Sequence, residues 1–483
     1  MLPLDRHRAH RAQLLIVAAV AVAYANSFAG DFQFDDFNVI VREKGAQSLC
    51  AWWTSQPGIR PLLKLSYALN NASAFGLPGF HTVNLLIHLG NAFLVARLLL
   101  LLTPTEQENG PQQYWAAWLG ALVFALHPVQ TEAVTYISGR STSLATLFAL
   151  ASIVLWLRGE QRTDGRALRY ASLVAFATAL LCKEFTAVVP AALLLCAAVR
   201  SPPDASWLRP ALRRTALHWL LLVFALLTSL EVPRYRVLLA TSLATRDALS
   251  NLDTQAHTIF YLAGQLVHLE RLNSDPALPV VAFLDARVLA HGVVIMALIA
   301  FGMFAVSRRN VAGFALLWFL LWLAPTNSVL PRLDVANDRE LYVALVGPAF
   351  GFARLIARVR PGPLRRAAVF AFTLCLALAT FDRNRVYANE VSFWLDVAQK
   401  SPHNARAFAN LGYGLALACR TDDARKVFNA ALLLDPEDWR TAINLRLLQA
   451  GEWPCHSHAG DLNGSHARGF LTRLPPANTK PGE

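Results

Sequence analysis

The stretch LLIVAAVAVAYANSFAG, residues 14–30, runs directly into DFQFDDFNVI, residues 31–40. The first part carries no charge and is built from small and aliphatic residues. The second sets two adjacent carboxylates, Asp35 and Asp36, among Phe32, Phe34 and Phe37. An uncharged run of this kind fits a helix crossing a hydrocarbon core about 30 Å thick, which needs roughly 20 residues. NSFAGDF is a poor leader-cleavage site and further apolar runs follow, so the run reads as a retained helix. The carboxylate pair then has two readings. It is a solvated stop signal at the interface, or it is a base held at a membrane surface.

Working outward, hydrophobic residues make up 55% of 483 positions and charged ones 16%, with a mean hydropathy of +0.37. That excludes an ordinary soluble protein and predicts an all-α, polytopic membrane protein. Apolar spans are expected near 12–29, 82–102, 114–127, 142–157, 168–182, 185–199, 216–231, 288–306, 312–325, 341–356 and 367–381, about eleven in all. The net charge of +12 would suit a nucleic-acid binder, but the arginines sit in short links between apolar runs: DRHRAHR, RGEQRTDGRALR (158–169), RSPPDASWLRPALRR (200–214), SRRN (307–310) and ARVRPGPLRR (357–366). With the N-terminus in the cytoplasm, all of these links fall on that side, as loops retained there should. Only TPTEQENGPQQ (103–113) would be a cytoplasmic link without positive charge. No nucleic-acid partner is expected. The six cysteines show no metal-type pairing and read as small hydrophobes, not as a disulfide frame or a zinc site.

AHTIFYLAGQLVHLERL (256–272) is too short and polar for a span and is expected as an interfacial or re-entrant helix in an outer loop, 232–287. Beyond residue 381 the pattern changes. With Ala405 as position 1 of a 34-residue unit, Phe408 falls at 4, Leu411 at 7, Gly412 at 8, Ala424 at 20, Phe428 at 24, Ala431 at 27 and Pro436 at 32. That is a tetratricopeptide repeat, followed by a degenerate second unit from Trp439. The expected organisation is a membrane domain over 1–381, a short helical repeat domain over 382–454, and a flexible tail over 455–483. One and a half repeats seldom stand alone, so they should pack on the membrane domain or on a protein partner.

On this topology the polar stretches collect outside the cytoplasm: DFQFDDFNVI, HPVQTEAVTYISGR (127–140), the hairpin LCKEFTAVVP (181–190) and PTNSVLPRLDVANDRELY (325–342). They bring Asp35, Asp36, His127, Glu132, Arg140, Lys183, Glu184, Asp338 and Arg339 to one face. Each pair alone could be interface anchoring or a local ion pair. Together they suit a lipid-linked phosphate: cations hold the phosphate, and a carboxylate takes a proton from an attacking hydroxyl. A transporter or lipid flippase would place its polar groups near the midplane, often with internal symmetry. A tethered scaffold working through its repeat would leave the charge cluster unexplained.

In order along the chain, FDD (34–36), IRPL (59–62), FHTVNLLIHLGNAFLV (80–95), HPVQTEAVTYISGR, CKE (182–184), DRELY (338–342) and the repeat resemble one family. It is that of the membrane-embedded glycosyltransferases with a tetratricopeptide tail, which includes the transmembrane, tetratricopeptide-containing O-mannosyltransferases and bacterial homologues. The resemblance implies a fold of the GT-C class and a polyprenyl-phosphate sugar as donor. It implies a base among Asp35 and Asp36, and a lipid phosphate surrounded by Arg60, Arg140, Lys183 and Arg339, with Glu184 orienting Lys183. His127, Glu132 and Asp338 would line or support the substrate pocket. The chain departs from the family pattern at Gln130, Thr142 and Asp338, where relatives carry histidine, an acidic residue and glutamate. No resident cofactor is expected, the donor being a substrate, and metal dependence is left open. The acceptor would be a protein or glycan hydroxyl. The alanine- and arginine-rich, lysine-poor composition suggests a bacterial inner membrane.

Overall fold

The computed structural model describes residues 3–55, 58–103, 110–201, 206–280, 286–328, 331–332 and 334–453. The tail over 455–483, with its three histidines, lies outside the described residues. Among those described, every regular element is helical.

All eleven apolar segments fall on helices, but not all are full-length spans. Six helices are long and apolar enough to cross a membrane: His7–Ala29, Gly76–Leu102, Ile137–Glu160, Leu208–Glu231, Ala290–Ser307 and Pro363–Tyr387. Asp338–Ala344 and Val346–Arg358, bent by 55° at their junction, would make a seventh. The other four, Gly110–Leu126, Arg166–Leu180, Val189–Arg200 and Val311–Leu323, have 17, 15, 12 and 13 residues. At 1.5 Å per residue the shortest covers only about 18 Å. Hydropathy counted apolar residues without registering where the α-helix gives way. Val189–Arg200, for example, is preceded by a 3₁₀ turn at Glu184–Val188.

The long helices are buried unevenly. Ile137–Glu160 is 72% buried and Gly76–Leu102 56%, whereas Leu208–Glu231 and Ala290–Ser307 are each only 17% buried. Leu220, Val223, Phe224 and Leu227 lie exposed along one of these outer helices. In water such a surface would drive association; against lipid it costs nothing.

The two ends of the bundle differ in chemistry. At one end Glu160 pairs with both Arg169 (3.3 Å) and Arg214 (2.9 Å), and Arg309 donates to the Ser201 carbonyl (2.9 Å). Three basic links therefore meet there. The acidic and histidine-bearing loops gather at the opposite end, some 20 residues of helix away along Ile137–Glu160, roughly 30 Å.

Residues 256–272 fall on an 18-residue helix, Ala248–Gln265, capped by Asp247 and followed by a 3₁₀ turn at Leu269–Arg271. Its buried face is mostly polar: Asn251, Thr254, Gln255, Thr258 and Gln265 beside Leu262, with Gln255 accepting from Asn327 at 2.8 Å.

The repeat is formed as expected, by Ala405–Leu417 and Thr421–Leu434. Gly412 lets them approach, since a Cβ there would lie 2.6 Å from the Phe428 ring. Glu390–Lys400 precedes the pair and Trp439–Gln449 follows it. These helices share a hydrophobic core with Tyr136 and Phe34, and Phe34 stands edge-on to Trp394 with centroids 4.9 Å apart. Between its two expected settings, the repeat packs on the membrane domain. Cys419 is disulfide-bonded, which corrects the reading of all six cysteines as isolated small hydrophobes.

Candidate active site

The first loop separates its two carboxylates. Asp36 is fully buried and accepts the backbone N–H of Gln33 (3.1 Å) and of Ser138 (2.8 Å). Burial pushes its pKa up to about 7, against those two N–H groups. Its work is to tie the loop to the 137–139 turn. Asp35 donates its backbone N–H to the Tyr136 hydroxyl (3.0 Å), but no hydrogen bond to its carboxylate is made by a described residue. That carboxylate is half-buried and within electrostatic reach of Arg339, Asp334, Arg406 and Lys183. Burial raises its pKa, the cations opposing. Phe34, just before it, takes a left-handed conformation (φ +44°) that a bulky side chain rarely adopts.

The 137–139 turn is placed by Gly139. A Cβ there would fall 2.1 Å from the Glu132 carbonyl oxygen, so the turn can lie against Thr131–Val134 only with glycine. This fixes Glu132, whose carboxylate accepts the backbone N–H of Arg339 (2.8 Å) and faces its Nε at 3.6 Å. Burial raises the Glu132 pKa, with Arg339 opposing. Arg339 also approaches Asp334 at 3.9 Å.

Lys183 stands at the hairpin tip. Its ammonium donates to Thr142 Oγ1 (2.7 Å) and Ser141 Oγ (3.2 Å), and no carboxylate among the described residues pairs with it. Burial, and then Arg339, Arg60 and Arg332, hold its pKa well below the usual lysine range. Thr142 meets it with a neutral hydroxyl, which leaves this cation without a counter-charge among the described residues. Glu184 beside it is committed elsewhere. It takes Arg60 in a bidentate pair (2.7–3.1 Å) and the Tyr235 hydroxyl at 2.8 Å. Burial would raise Glu184, but Arg60 holds it down to about 2. Arg60, like Phe34, is left-handed (φ +53°) and opens the Pro61–Ala72 helix.

The structure therefore brings Asp35, Arg60, Glu132, Lys183, Glu184 and Arg339 together and leaves others outside. Arg140 is wholly buried, its guanidinium spent on Asn84 Oδ1 (2.6 Å) and on the carbonyls of Ser66 and Phe80, between the rings of Tyr67 and Phe80. Each of its three nitrogens already has a protein acceptor, and none of the side chain is exposed to a ligand. Glu184 orients Arg60, where the resemblance had it orienting Lys183. His127 is buried, its Nε2 on the Leu266 carbonyl (3.1 Å) and its Nδ1 accepting from Val129 N–H (3.2 Å), so it caps its own turn. Asp338 turns to Arg383 (3.6 Å), which also binds Asp396 (2.6 Å) at the junction with the repeat.

Sequence reasoning missed Arg332, Asp334, Tyr136, Tyr235 and above all Arg406. Arg406, from the first repeat helix, bridges Asp275 and Asp334, each at 2.6 Å. Arg332 pairs with Glu340 and Asn337. Arg332 and Asp334 lie inside PTNSVLPRLDVANDRELY, where their charge was the available signal. Arg406 lies in the repeat, more than 60 positions in sequence from any of the polar outer stretches, so nothing local links it to the site. Among the described residues no group of three histidine, cysteine, aspartate or glutamate side chains could hold a metal ion.

The chemistry of this arrangement is that of an anion site with a free carboxylate at its edge. The neighbouring arginines each have a carboxylate, so Lys183 is the cation of the group left without one among the described residues, and Asp35 lies within its electrostatic reach.

No family model matches the chain. Protein O-mannosyl-transferase TMTC3 of Mus musculus is 25% identical over 489 aligned positions, covering 89% of this chain and 52% of its own length. Protein O-mannosyl-transferase F38B6.6 of Caenorhabditis elegans is 24% identical over 89% of this chain and 64% of its own. Protein O-mannosyl-transferase TMTC4 of Homo sapiens is 31% identical over 201 positions, 36% of this chain and 27% of that protein. The chain spans about half the length of the mouse protein. It is a relative, across most of its own length, of proteins named as protein O-mannosyl-transferases.

Proposed function

We propose that the chain is a membrane glycosyltransferase moving a sugar from a polyprenyl-phosphate donor to a hydroxyl of a protein or glycan on the extracytoplasmic side. The observation that carries this reading is the Asp35 carboxylate, free of hydrogen bonds from described residues and within electrostatic reach of Lys183 and Arg339. Mannose is the first candidate sugar, from the names of the relatives.

Asp35 takes the proton of the acceptor hydroxyl. That oxygen bonds to the anomeric carbon as the bond from that carbon to the phosphate oxygen breaks. The lipid phosphate departs with the electron pair and is held by Lys183 and Arg339. General-base help is typically worth ~10²–10⁴-fold. Fixed cations favour the charge growing on the leaving phosphate, so no general acid is needed. Arg60, a third of its side chain exposed beside Lys183, adds positive field while Glu184 and Tyr235 hold it in place.

The side assignment rests on the arginine-rich links, which set the opposite end in the cytoplasm. A disulfide at Cys419 suits an oxidising compartment for the repeat. The composition favours a bacterial inner membrane. Charges gathered at one end of the bundle, rather than on broken helices at its middle, speak against a transporter.

The test is transfer of labelled mannose from polyprenyl-phosphate mannose to a serine- and threonine-rich peptide by the full chain in lipid nanodiscs. Transfer by the wild type, lost in Asp35→Asn with the protein still folded, is expected. A wild type that neither transfers any polyprenyl-linked sugar nor binds polyprenyl phosphate overturns the reading.

A further inference from the structure

A cavity of about 500 Å³ lies between Ala248–Gln265, Ala286–Ser307, Val311–Leu323 and Val346–Arg358, running from Leu266, which accepts from His127, to Asn310 and Arg358 at the basic end. Ile259, Phe260, Leu298, Phe319 and Leu355 give it an apolar wall. Arg354 and Arg358 also line it, one helical turn apart. Neither guanidinium makes a hydrogen bond or ion pair with a described residue. Both belong to the last turns of the bent helix pair whose first residues are Asp338 and Arg339. From Val346 to Arg358 alone the axis runs roughly 18 Å. The two arginines thus sit on the side of the basic links, away from the candidate active site.

An apolar space within apolar helices is filled by lipid, and two unpaired cations at its rim select which lipid. We infer that this cavity is a binding site for an anionic phospholipid of the leaflet at the basic end, one acyl chain lying in the cavity and the headgroup phosphate on Arg354 and Arg358. Basic pockets between helices on the cytoplasmic side hold anionic headgroups in this way. The volume is in the range of small-molecule pockets, about 300–1,000 Å³. A neutral, zwitterionic lipid would fill the same space but leave the like charges of Arg354 and Arg358 uncompensated.

Native mass spectrometry of the full chain, titrated with phosphatidylglycerol or phosphatidylcholine of equal chain length, tests this without reference to turnover. A null result there leaves the transferase reading standing, and failed transfer leaves the lipid site standing. The expected result is a preference for phosphatidylglycerol of about tenfold or more. Arg354→Gln with Arg358→Gln should abolish the preference, while Arg385→Gln, an exposed arginine at the far end, should keep it. Ala312→Phe, which fills the cavity and retains both arginines, should weaken binding of both lipids. That variant keeps the test decisive should the double one fail to fold. Equal affinity for the two lipids in the wild type overturns the proposal, as does a preference that survives the double substitution. Stoichiometric displacement of phosphatidylglycerol by polyprenyl phosphate also overturns it, by assigning the cavity to the donor.

Discussion

Position 36 spends its carboxylate on two backbone N–H groups, while position 35, one residue earlier, keeps its own free. The two should therefore fail differently. Asp35→Asn is expected to lower kcat by at least 10²-fold with little change in melting temperature. Asp36→Ala strands two donors and should cost about 1–3 kcal/mol of stability, read as a lowered melting temperature before any kinetic effect is assigned. Equal kinetic loss with no thermal loss in Asp36→Ala would sink this division of labour. The pH dependence follows from the directions at this site. A base raised by burial must lose its proton to act, so kcat/KM should climb along a limb lying above the ordinary carboxylate range near 4. Lys183 is lowered, so an incoming phosphate draws a proton onto it. Donor affinity should then fall as pH rises, and Lys183→Met should flatten that dependence. A limb at an ordinary carboxylate pKa, or the same slope in Lys183→Met, would count against the assignments. None of this division was legible in the sequence. DD reads the same whichever carboxylate finds backbone partners, and Arg140 reads like Arg339 until Asn84, Ser66 and Phe80 are seen around it.

At the scale of elements, the apolar helices were legible because eleven runs of small and aliphatic residues can be buried in lipid only as helices. Their lengths were not. Whether Val189 continues a helix or begins one depends on how Glu184 and Lys183 are held, and those contacts come from distant segments. The polar face of Ala248–Gln265 was hidden for a similar reason. Its Asn251 and Gln255 meet the Ser328 and Val335 carbonyls and the Asn327 side chain, 72–80 residues away. The turn at 137–139 carries the sharpest consequence. Gly139→Ala must push the turn off Thr131–Val134, because its Cβ would otherwise sit 2.1 Å from a backbone oxygen that has no side-chain freedom to yield. Ser138 N–H then leaves Asp36, and Glu132 leaves Arg339. A loss of 10-fold or more in kcat/KM with a drop of several degrees in melting temperature is expected. A fully active, thermally unchanged Gly139→Ala would show that the turn does not position the site.

For the whole molecule, the repeat behaves as a structural wall of the site, whatever else it binds. Lys400 donates to the Leu272 carbonyl, Asn404 and Arg406 hold Asp275, and Arg406 reaches on to Asp334 beside Arg339. On the apolar side, Phe34 and Tyr136 are buried against Trp394 and Phe393, so the backbone that carries Asp35 is clamped between the two parts. Removing residues 390–453 would expose that aromatic cluster and release Asp334 from Arg406 together. The truncated membrane domain should be inactive and prone to aggregate, although every apolar helix is retained. A milder cut separates the two effects. Arg406→Ala keeps the aromatic clamp but frees Asp275 and Asp334, and should lower kcat/KM by roughly tenfold with normal membrane insertion. Arg406→Lys should recover only part of the loss, since an ammonium lacks the second nitrogen by which Nε holds Asp275 while Nη2 holds Asp334. A truncated domain with full turnover, or an Arg406→Ala chain with unchanged kinetics, would return the repeat to the role of an independent binding module.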